Sequence, residues 1–535
     1  MKVIYYLSNG SLLETSNTNS DLEIIEETGK RNIVTIKALK DIVLKKAIIN
    51  DITKIKDDDT FFLNGYQSWT DTKELDLAGK ERNVKKIFKP IRNMFSLEAY
   101  GDSFIYDYNK NKLHGYDVFY IKGEKELFSF NHNYENAYLI YDIDKKEKTL
   151  SLISDVDGII LKNGETFKVF DYSLFERIDE GKQAFDQEFP KKDTPKLFGY
   201  SSWYNYYQNI NEEIILRDLA SLDERFNLVQ IDDGYQEYVG DWTHINKQKF
   251  PNGLKGIVDK IHASGKKAGI WVAPFAAETK SEVFRNHPEY FLKENGEFVK
   301  AGCNWSGFYT YDLNNKDARN HIKENLEFLM DLGFDFFKLD FLYASSITPY
   351  EGKTRAMVAR ESYKFLHEVL KDKMILGCGA CISSCANIFE YLRIGPDVSL
   401  IFDDKWFMRK LHRERISTKV TLQNTIYRSL FNYHMFLNDP DVFLLRDTNI
   451  SLSEKQKEAL VLINSLFGGI LMTSDDIATY NDKEKELLEE SFKLFYNAKK
   501  QSFIRNNDVI IISYELYDKE YKLLYDTKKG VIYGR

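Results

Sequence analysis

Two charged side chains interrupt an apolar run in this 535-residue sequence, Phe336-Phe-Lys-Leu-Asp-Phe341. If the run is a strand, Lys338 and Asp340 point to the same side, because alternate residues share a face. Both then look into surroundings flanked by Phe336, Phe337 and Phe341, and a buried ion pair is a costly way to fill a core. A working site explains them better. Arg393-Ile-Gly-Pro-Asp397 closes another short apolar run, and Gln230-Ile-Asp232-Asp233-Gly234-Tyr235 closes a third. Two carboxylates facing across a pocket are what cleavage of a glycosidic bond requires. One attacks or stabilises the anomeric carbon and the other protonates the departing oxygen. Asp340 and Asp397 could form such a pair, with Arg393 as a ligand for a sugar hydroxyl or a carboxylate. Asp439, Asp441, Asp475 and Asp476 also follow apolar runs, but turn and helix-cap roles suit them better.

Other chemistries have less support. Cys378-x₂-Cys381-x₃-Cys385, with Cys303 as a fourth ligand, fits no usual zinc or iron–sulfur spacing closely. No Gly-x-Gly-x-x-Gly, P-loop, His-Glu-x-x-His or Gly-x-Ser-x-Gly occurs, so nucleotide, zincin and serine-hydrolase readings lose their footing. The net charge of -8 gives a polyanion no global attraction, which argues against nucleic acid as a partner. Aromatic residues reach 14%, which suits ring-stacking surfaces for sugars. The first residues lack the apolar core of a secretory signal, and no apolar stretch approaches the roughly 20 residues of a spanning helix. The expectation is a cytoplasmic protein without membrane partners. Four cysteines do not make a disulfide framework, and the Asn-Gly-Ser, Asn-Trp-Ser and Asn-Ile-Ser sequons carry no meaning without secretion.

The elements that must position these residues fall into three parts. Residues 1–190 read as short alternating runs with little helical period, a β-sandwich domain. Residues 191–500 alternate buried strands with amphipathic helices. The strands are expected at Leu197–Trp203, Leu228–Asp232, Ala268–Phe275, Phe334–Phe341, Met374–Cys378, Tyr391–Ile394, Met435–Asn438 and Gly468–Thr473. Eight βα units over about 280 residues match a (β/α)₈ barrel, with a doubly wound open sheet as the competing architecture. The barrel puts functional residues at the C-terminal ends of its strands, where the carboxylates fall. Trp203 and Trp271, at the first and third strand ends, would wall a sugar pocket or simply pack the barrel. The longest loop follows the third strand and carries Asn295-Gly296, a type I′ hairpin signal, so it reads as a decorated active-site loop. Residues 501–535 return to alternating runs and are expected to form a small C-terminal β-sandwich domain.

At these positions the chain resembles the short bacterial α-galactosidases of glycoside hydrolase family 36. The resemblance rests on Asn64-Gly-Tyr-Gln-Ser-Trp69, Ser202-Trp-Tyr-Asn205, Ile231-Asp-Asp-Gly-Tyr235, Gly269-Ile-Trp-Val-Ala-Pro274, Phe337-Lys-Leu-Asp-Phe341, Ile375-Leu-Gly-Cys-Gly379, Arg393-Ile-Gly-Pro-Asp397 and Leu437-Asn-Asp-Pro-Asp441, in family order. It implies an N-terminal β-supersandwich, a catalytic barrel and a C-terminal β-domain. It also implies a retaining double displacement, with Asp340 as nucleophile and Asp397 as general acid/base. Asp232 and Asp233 would bind the axial 4-hydroxyl and the 6-hydroxyl of galactose. Lys338 and Arg393 would hold ring hydroxyls near the reacting centre, with Lys338 also favouring the charged form of Asp340. Cys378 and Gly395 would border the 2-hydroxyl, Trp203 and Trp271 would line the pocket, and Trp69 would reach it from the N-terminal domain. Carboxyls about 5–5.5 Å apart would fit retention, and about 6.5–9.5 Å inversion. No metal or organic cofactor is implied, and the oligomeric state stays open. The longer members follow the nucleophile with x-Asn, whereas Phe341-Leu342 follows Asp340 here, as in the short ones. Rival activities are an α-N-acetylgalactosaminidase, a transglycosidase of the same clan, and a non-catalytic sugar-binding protein.

Overall fold

Alternating burial along the first 175 residues builds two sheets. The computed structural model describes residues 1–350 and 352–534. One seven-stranded sheet contains Lys2–Leu7, Leu12–Thr15, Ile42–Lys54, Lys112–Tyr116, Tyr138–Asp144, Thr149–Asp155 and Ile160–Leu161. The other contains Leu22–Glu27, Arg31–Ala38, Thr60–Leu63, Lys73–Asp76, Val118–Lys122, Leu127–Asn131 and Thr166–Phe175. Inward residues such as Leu44, Phe119, Tyr141 and Leu152 share one core, and the Phe119 and Tyr141 rings stack at 4.7 Å. Helix Ile178–Glu188 then buries Phe185 against the second sheet and carries the chain to the barrel.

The barrel strands are Leu197–Ser201, Leu228–Ile231, Lys267–Val272, Phe336–Leu339, Met374–Gly377, Tyr391–Arg393, Leu437–Asp439 and Ile470–Thr473, each parallel to its neighbours. They are almost wholly buried, as strands covered on both faces must be. The seventh strand is broken. Leu437–Asp439 pairs with the sixth, then Pro440 and Asp441 (φ 75°) make a jog, and Val442–Phe443 pairs with the eighth to close the barrel.

Two sequence expectations change. The fifth strand is not followed by a barrel helix, only by the short turn Ser383–Cys385. The N-terminal domain packs against that connection instead: Ser68 N–H bonds to Ala380 O at 2.9 Å, Gln67 bridges Cys381, and Tyr138 meets Ser384 Oγ at 3.0 Å. The C-terminal part is one four-stranded antiparallel sheet, Lys499–Asn506, Val509–Leu516, Lys519–Asp526 and Val531–Tyr533, rather than a sandwich. Its apolar face, with Ile510, Ile512, Leu523 and Tyr525, joins the barrel core, so helix Glu454–Phe467 acts as its second layer. No helix among the described residues is long and apolar enough to cross a membrane.

One side chain fastens the two large parts together. Arg428, fully buried, donates to the carbonyls of Gly65 (3.2 Å), Gln67 (3.0 Å), Ser68 (2.7 Å) and Ile394 (2.7 Å), and to Asn64 Oδ1 (3.1 Å). Burial, with Arg413 nearby, pulls its guanidinium down to about 9. Only the fork of an arginine fills so many acceptors at once. Arg428→Lys is expected to leave several buried carbonyls unpaired and to cost ~2–4 kcal/mol, read as a lower urea midpoint. An unchanged midpoint would remove this clasp as a stabilising feature.

Candidate active site

The charged residues at the strand ends converge. Asp340 directly follows the fourth strand and is 8% exposed. Its Oδ2 accepts the Trp271 indole N–H at 3.0 Å and its Oδ1 accepts the Phe341 backbone N–H at 2.8 Å. Phe341 sits at φ 54°, a left-handed conformation that turns its own N–H toward the carboxylate it follows. Lys338 faces the same cavity, but its ammonium bonds to Asp232 Oδ2 at 2.9 Å rather than to Asp340. Burial works against its charge, yet Asp232 and Asp340 together hold its pKa above the ordinary lysine value. Its influence on Asp340 is therefore through the field, not through a shared proton.

Asp232 is gripped on all sides, accepting from Gln230 Nε2 at 2.6 Å and from the Asp233 backbone N–H at 2.9 Å. Asp233 is pushed up from the ordinary carboxylate value by burial, and three donors resist that: Trp305 Nε1 (2.9 Å), Gln236 Nε2 (2.6 Å) and Gln208 Nε2 (2.9 Å). Across the cavity, Arg393 spreads its guanidinium over three carboxylates: Asp439 at 2.8 Å, Asp441 at 2.8 Å and Asp397 at 3.1 Å. Asp397 keeps 32% of its side chain exposed at the pocket mouth. Its pKa is raised by burial first and by Asp340 and Asp232, against the pull of Arg393 and Lys338. Asp441 is pushed up to about 7 by burial and by Asp397 and Asp439, and it accepts from the Tyr204 hydroxyl and from Val398 N–H. Six carboxylates around two cations cannot all be charged in so closed a space, and the proton sits most readily on those whose pKa is raised.

Most of the residues singled out in the sequence come together here. Asp232, Asp233, Lys338, Asp340, Arg393, Asp397 and Trp271 form one connected set, and Cys378 lies buried beside it, its thiol pushed up by burial and by the charge of Asp340. Trp69 arrives from the N-terminal domain, its ring 5.2 Å from Phe341 and 5.7 Å from Tyr343. A side chain at Gly379 (φ +58°) would come within 2.8 Å of that ring, so the approach requires glycine. Trp203 is half-buried, edge-on to Tyr207 at 5.1 Å, and Gly395 lies against Thr421. Asp439 and Asp441 hold Arg393, Asp475 holds Arg446 and two backbone N–H groups, and Asp476 caps a short helix, as structural roles require. Sequence reasoning missed Trp305, Gln208, Gln236 and Tyr204. Trp305 lies in the loop expected to decorate the site, inside the Asn-Trp-Ser triplet set aside as a sequon, so its indole was the available signal. The four cysteines are unpaired, and the described residues hold no group of three or more His, Cys, Asp or Glu arranged for a metal ion.

Residues 184–371 match the melibiase family model. The chain is 32% identical over 186 residues to α-galactosidase AgaA of Geobacillus stearothermophilus and 29% identical over 185 residues to an α-galactosidase of Escherichia coli. These matches take in 31% and 32% of this chain, but it spans only about a quarter of the length of each relative, 25% in both cases. In fold the agreement is wider. The α-galactosidase TtGalA of Thermus thermophilus, solved with p-nitrophenyl α-D-galactopyranoside, superposes with a TM-score of 0.71 at 21% identity, covering 93% of this chain and 98% of that one. AgaA itself superposes with a TM-score of 0.64 at 12% identity, covering 98% of this chain and 80% of that one. The fold is thus that of a (β/α)₈ barrel protein with an N-terminal β-sandwich, its strand ends carrying clustered carboxylates. Over residues 184–371 the sequence is similar to the melibiase family, and over nearly the whole chain the fold is similar to that of solved α-galactosidases.

Proposed function

We propose that the chain is a retaining exo-α-galactosidase, acting in the cytoplasm on small oligosaccharides with a terminal α-linked galactose, such as melibiose or raffinose. The three parts would divide at about residues 190 and 500, with no nucleic-acid or membrane partner. The observation that carries the reading is the asymmetry between two carboxylates that follow the fourth and sixth barrel strands. Asp340 is fixed by two N–H donors, while Asp397 stands at the mouth with a raised pKa.

The mechanism follows from that asymmetry. Asp397 starts protonated and passes its proton to the glycosidic oxygen as the C1–O bond breaks. Asp340, oriented by Trp271 and Phe341, attacks C1 from the other side and forms a covalent galactosyl ester. Asp397, now charged, takes a proton from a water that attacks C1, releasing galactose with its α-configuration retained. Arg393 holds Asp397 by one guanidinium nitrogen and is itself held by Asp439 and Asp441, so the acid keeps its position through both charge states. Lys338, tied to Asp232, and the Asp233 carboxylate would bind the ring hydroxyls. Trp203, Trp271 and Trp69 would wall the ring, and Cys378 and Gly395 would border the 2-hydroxyl.

Release of p-nitrophenol from the α-galactoside and from the α-N-acetylgalactosaminide, measured in parallel, tests the substrate. The α-galactoside is expected to be favoured by about 10²-fold or more in kcat/KM, since the side proposed to border the 2-hydroxyl is formed by the buried Cys378 between Gly377 and Gly379. Comparable rates would shift the reading to the galactosaminidase, and product analysis with an added sugar acceptor separates hydrolysis from transfer.

A further inference from the structure

The strap that follows the third strand crosses the barrel mouth with its two sides tied to different bodies. On one side the Tyr100 hydroxyl, from the N-terminal domain, accepts the Cys303 backbone N–H at 3.0 Å and donates to Asn304 Oδ1 at 2.8 Å. On the other, Ser306 donates from its hydroxyl to Glu278 Oε2 at 2.7 Å, and Glu278 Oε1 accepts Val239 N–H at 3.0 Å. Between these anchors Trp305 is held at φ 55°, a left-handed conformation that an aromatic residue adopts only where its surroundings enforce it. The enforced turn aims the indole N–H at Asp233 Oδ2, 2.9 Å away, and leans the ring on Phe341 at 5.1 Å.

Resting on the function proposed above, the geometry orients the sugar. Its reacting carbon lies between Asp340 and Asp397, so a six-membered ring pointing inward puts C4 and the substituent on C5 at the other end. That end is Asp232 and Asp233, with Trp305 above. We infer that Trp305 is a specificity-determining residue that closes the pocket over the hydroxymethyl group on C5, and that Tyr100 is the positioning residue that holds it there from the N-terminal domain.

The test compares p-nitrophenyl α-D-galactopyranoside with p-nitrophenyl β-L-arabinopyranoside, the same ring without the hydroxymethyl group. Trp305→Phe is expected to lower kcat/KM on the galactoside by about 10–100-fold, chiefly through KM, and to change the arabinopyranoside by less than about threefold. The preference for the galactoside therefore collapses. Tyr100→Phe, which removes one oxygen and leaves the ring packed, should move the ratio in the same direction by a smaller factor, and the double variant should fall no further than Trp305→Phe alone. Equal losses on both glycosides, or additive losses in the double variant, would overturn the inference while leaving the proposed function intact. A wild-type protein silent on both glycosides would overturn the proposed function and this inference with it.

Discussion

Asp340→Gly is expected to abolish turnover of ordinary α-galactosides, by about 10⁴-fold or more in kcat, and to regain part of it when azide is added. The structure gives a specific reason for the rescue. The carboxylate is held by the Trp271 indole N–H and the Phe341 backbone N–H, and neither donor belongs to the Asp340 side chain. Glycine removes the anion and leaves both donors aimed at the vacated space. A small anion then finds a prepared site on the face of C1 opposite the leaving group. Attack from that face is a single inversion, so the product must be β-galactosyl azide. An α-azide, or no rescue at any azide concentration, would count against Asp340 as the nucleophile.

The pairing of Lys338 with Asp340 shows what spacing reveals and what it hides. Positions i and i+2 on a strand share a face, and both residues do look into one cavity. Spacing could not show that the ammonium would settle on Asp232, because that partner lies 106 residues away and is delivered by parallel pairing across the barrel. Asp439 and Asp441 gave the opposite outcome. Each could be read as a turn residue, and while Asp439 ends a strand and Asp441 sits in the jog after it, through Arg393 both also fix the geometry of Asp397. A role exerted through a third residue leaves no local mark in a sequence.

The eight strands were legible because buried parallel strands are short, apolar and bounded by turn residues. The missing helix after the fifth strand was not. Its place depends on a surface from another domain, the Gln67–Ser68 segment, which packs on the connection and replaces the cover that a helix would give. Trp305 was hidden for a related reason. Its strained turn is enforced by Tyr100 and Glu278, which lie far from it in the chain, and local propensity carries no record of either contact.

The second large effect is expected from Asp397→Ala, and it should depend on the leaving group. A p-nitrophenolate departs without a proton, so formation of the galactosyl-enzyme should survive for the aryl glycoside. Melibiose and raffinose, whose leaving oxygens need protonation, should lose about 10²–10⁴-fold in kcat/KM. The pH profile gives an independent reading. Burial and the neighbouring charges of Asp340 and Asp232 raise the pKa of Asp397 above the ordinary carboxylate value, so the wild type keeps its acid protonated to higher pH. Activity should then fall as pH rises through that raised pKa, and this alkaline limb should vanish when Asp397 is removed. Asp441, pushed up to about 7, and Asp233, raised by burial, are other groups able to produce such a limb. If the limb persists in Asp397→Ala but disappears in Asp441→Asn, the proton belongs to Asp441 and the acid/base assignment fails. Azide supplies the last discrimination. In Asp397→Ala the enzyme ester on Asp340 still forms, so azide attacks C1 from the opposite face and the product is α-galactosyl azide. Opposite anomers from the two variants would assign the two carboxylates to the two faces of the sugar, a result that no loss of stability could imitate.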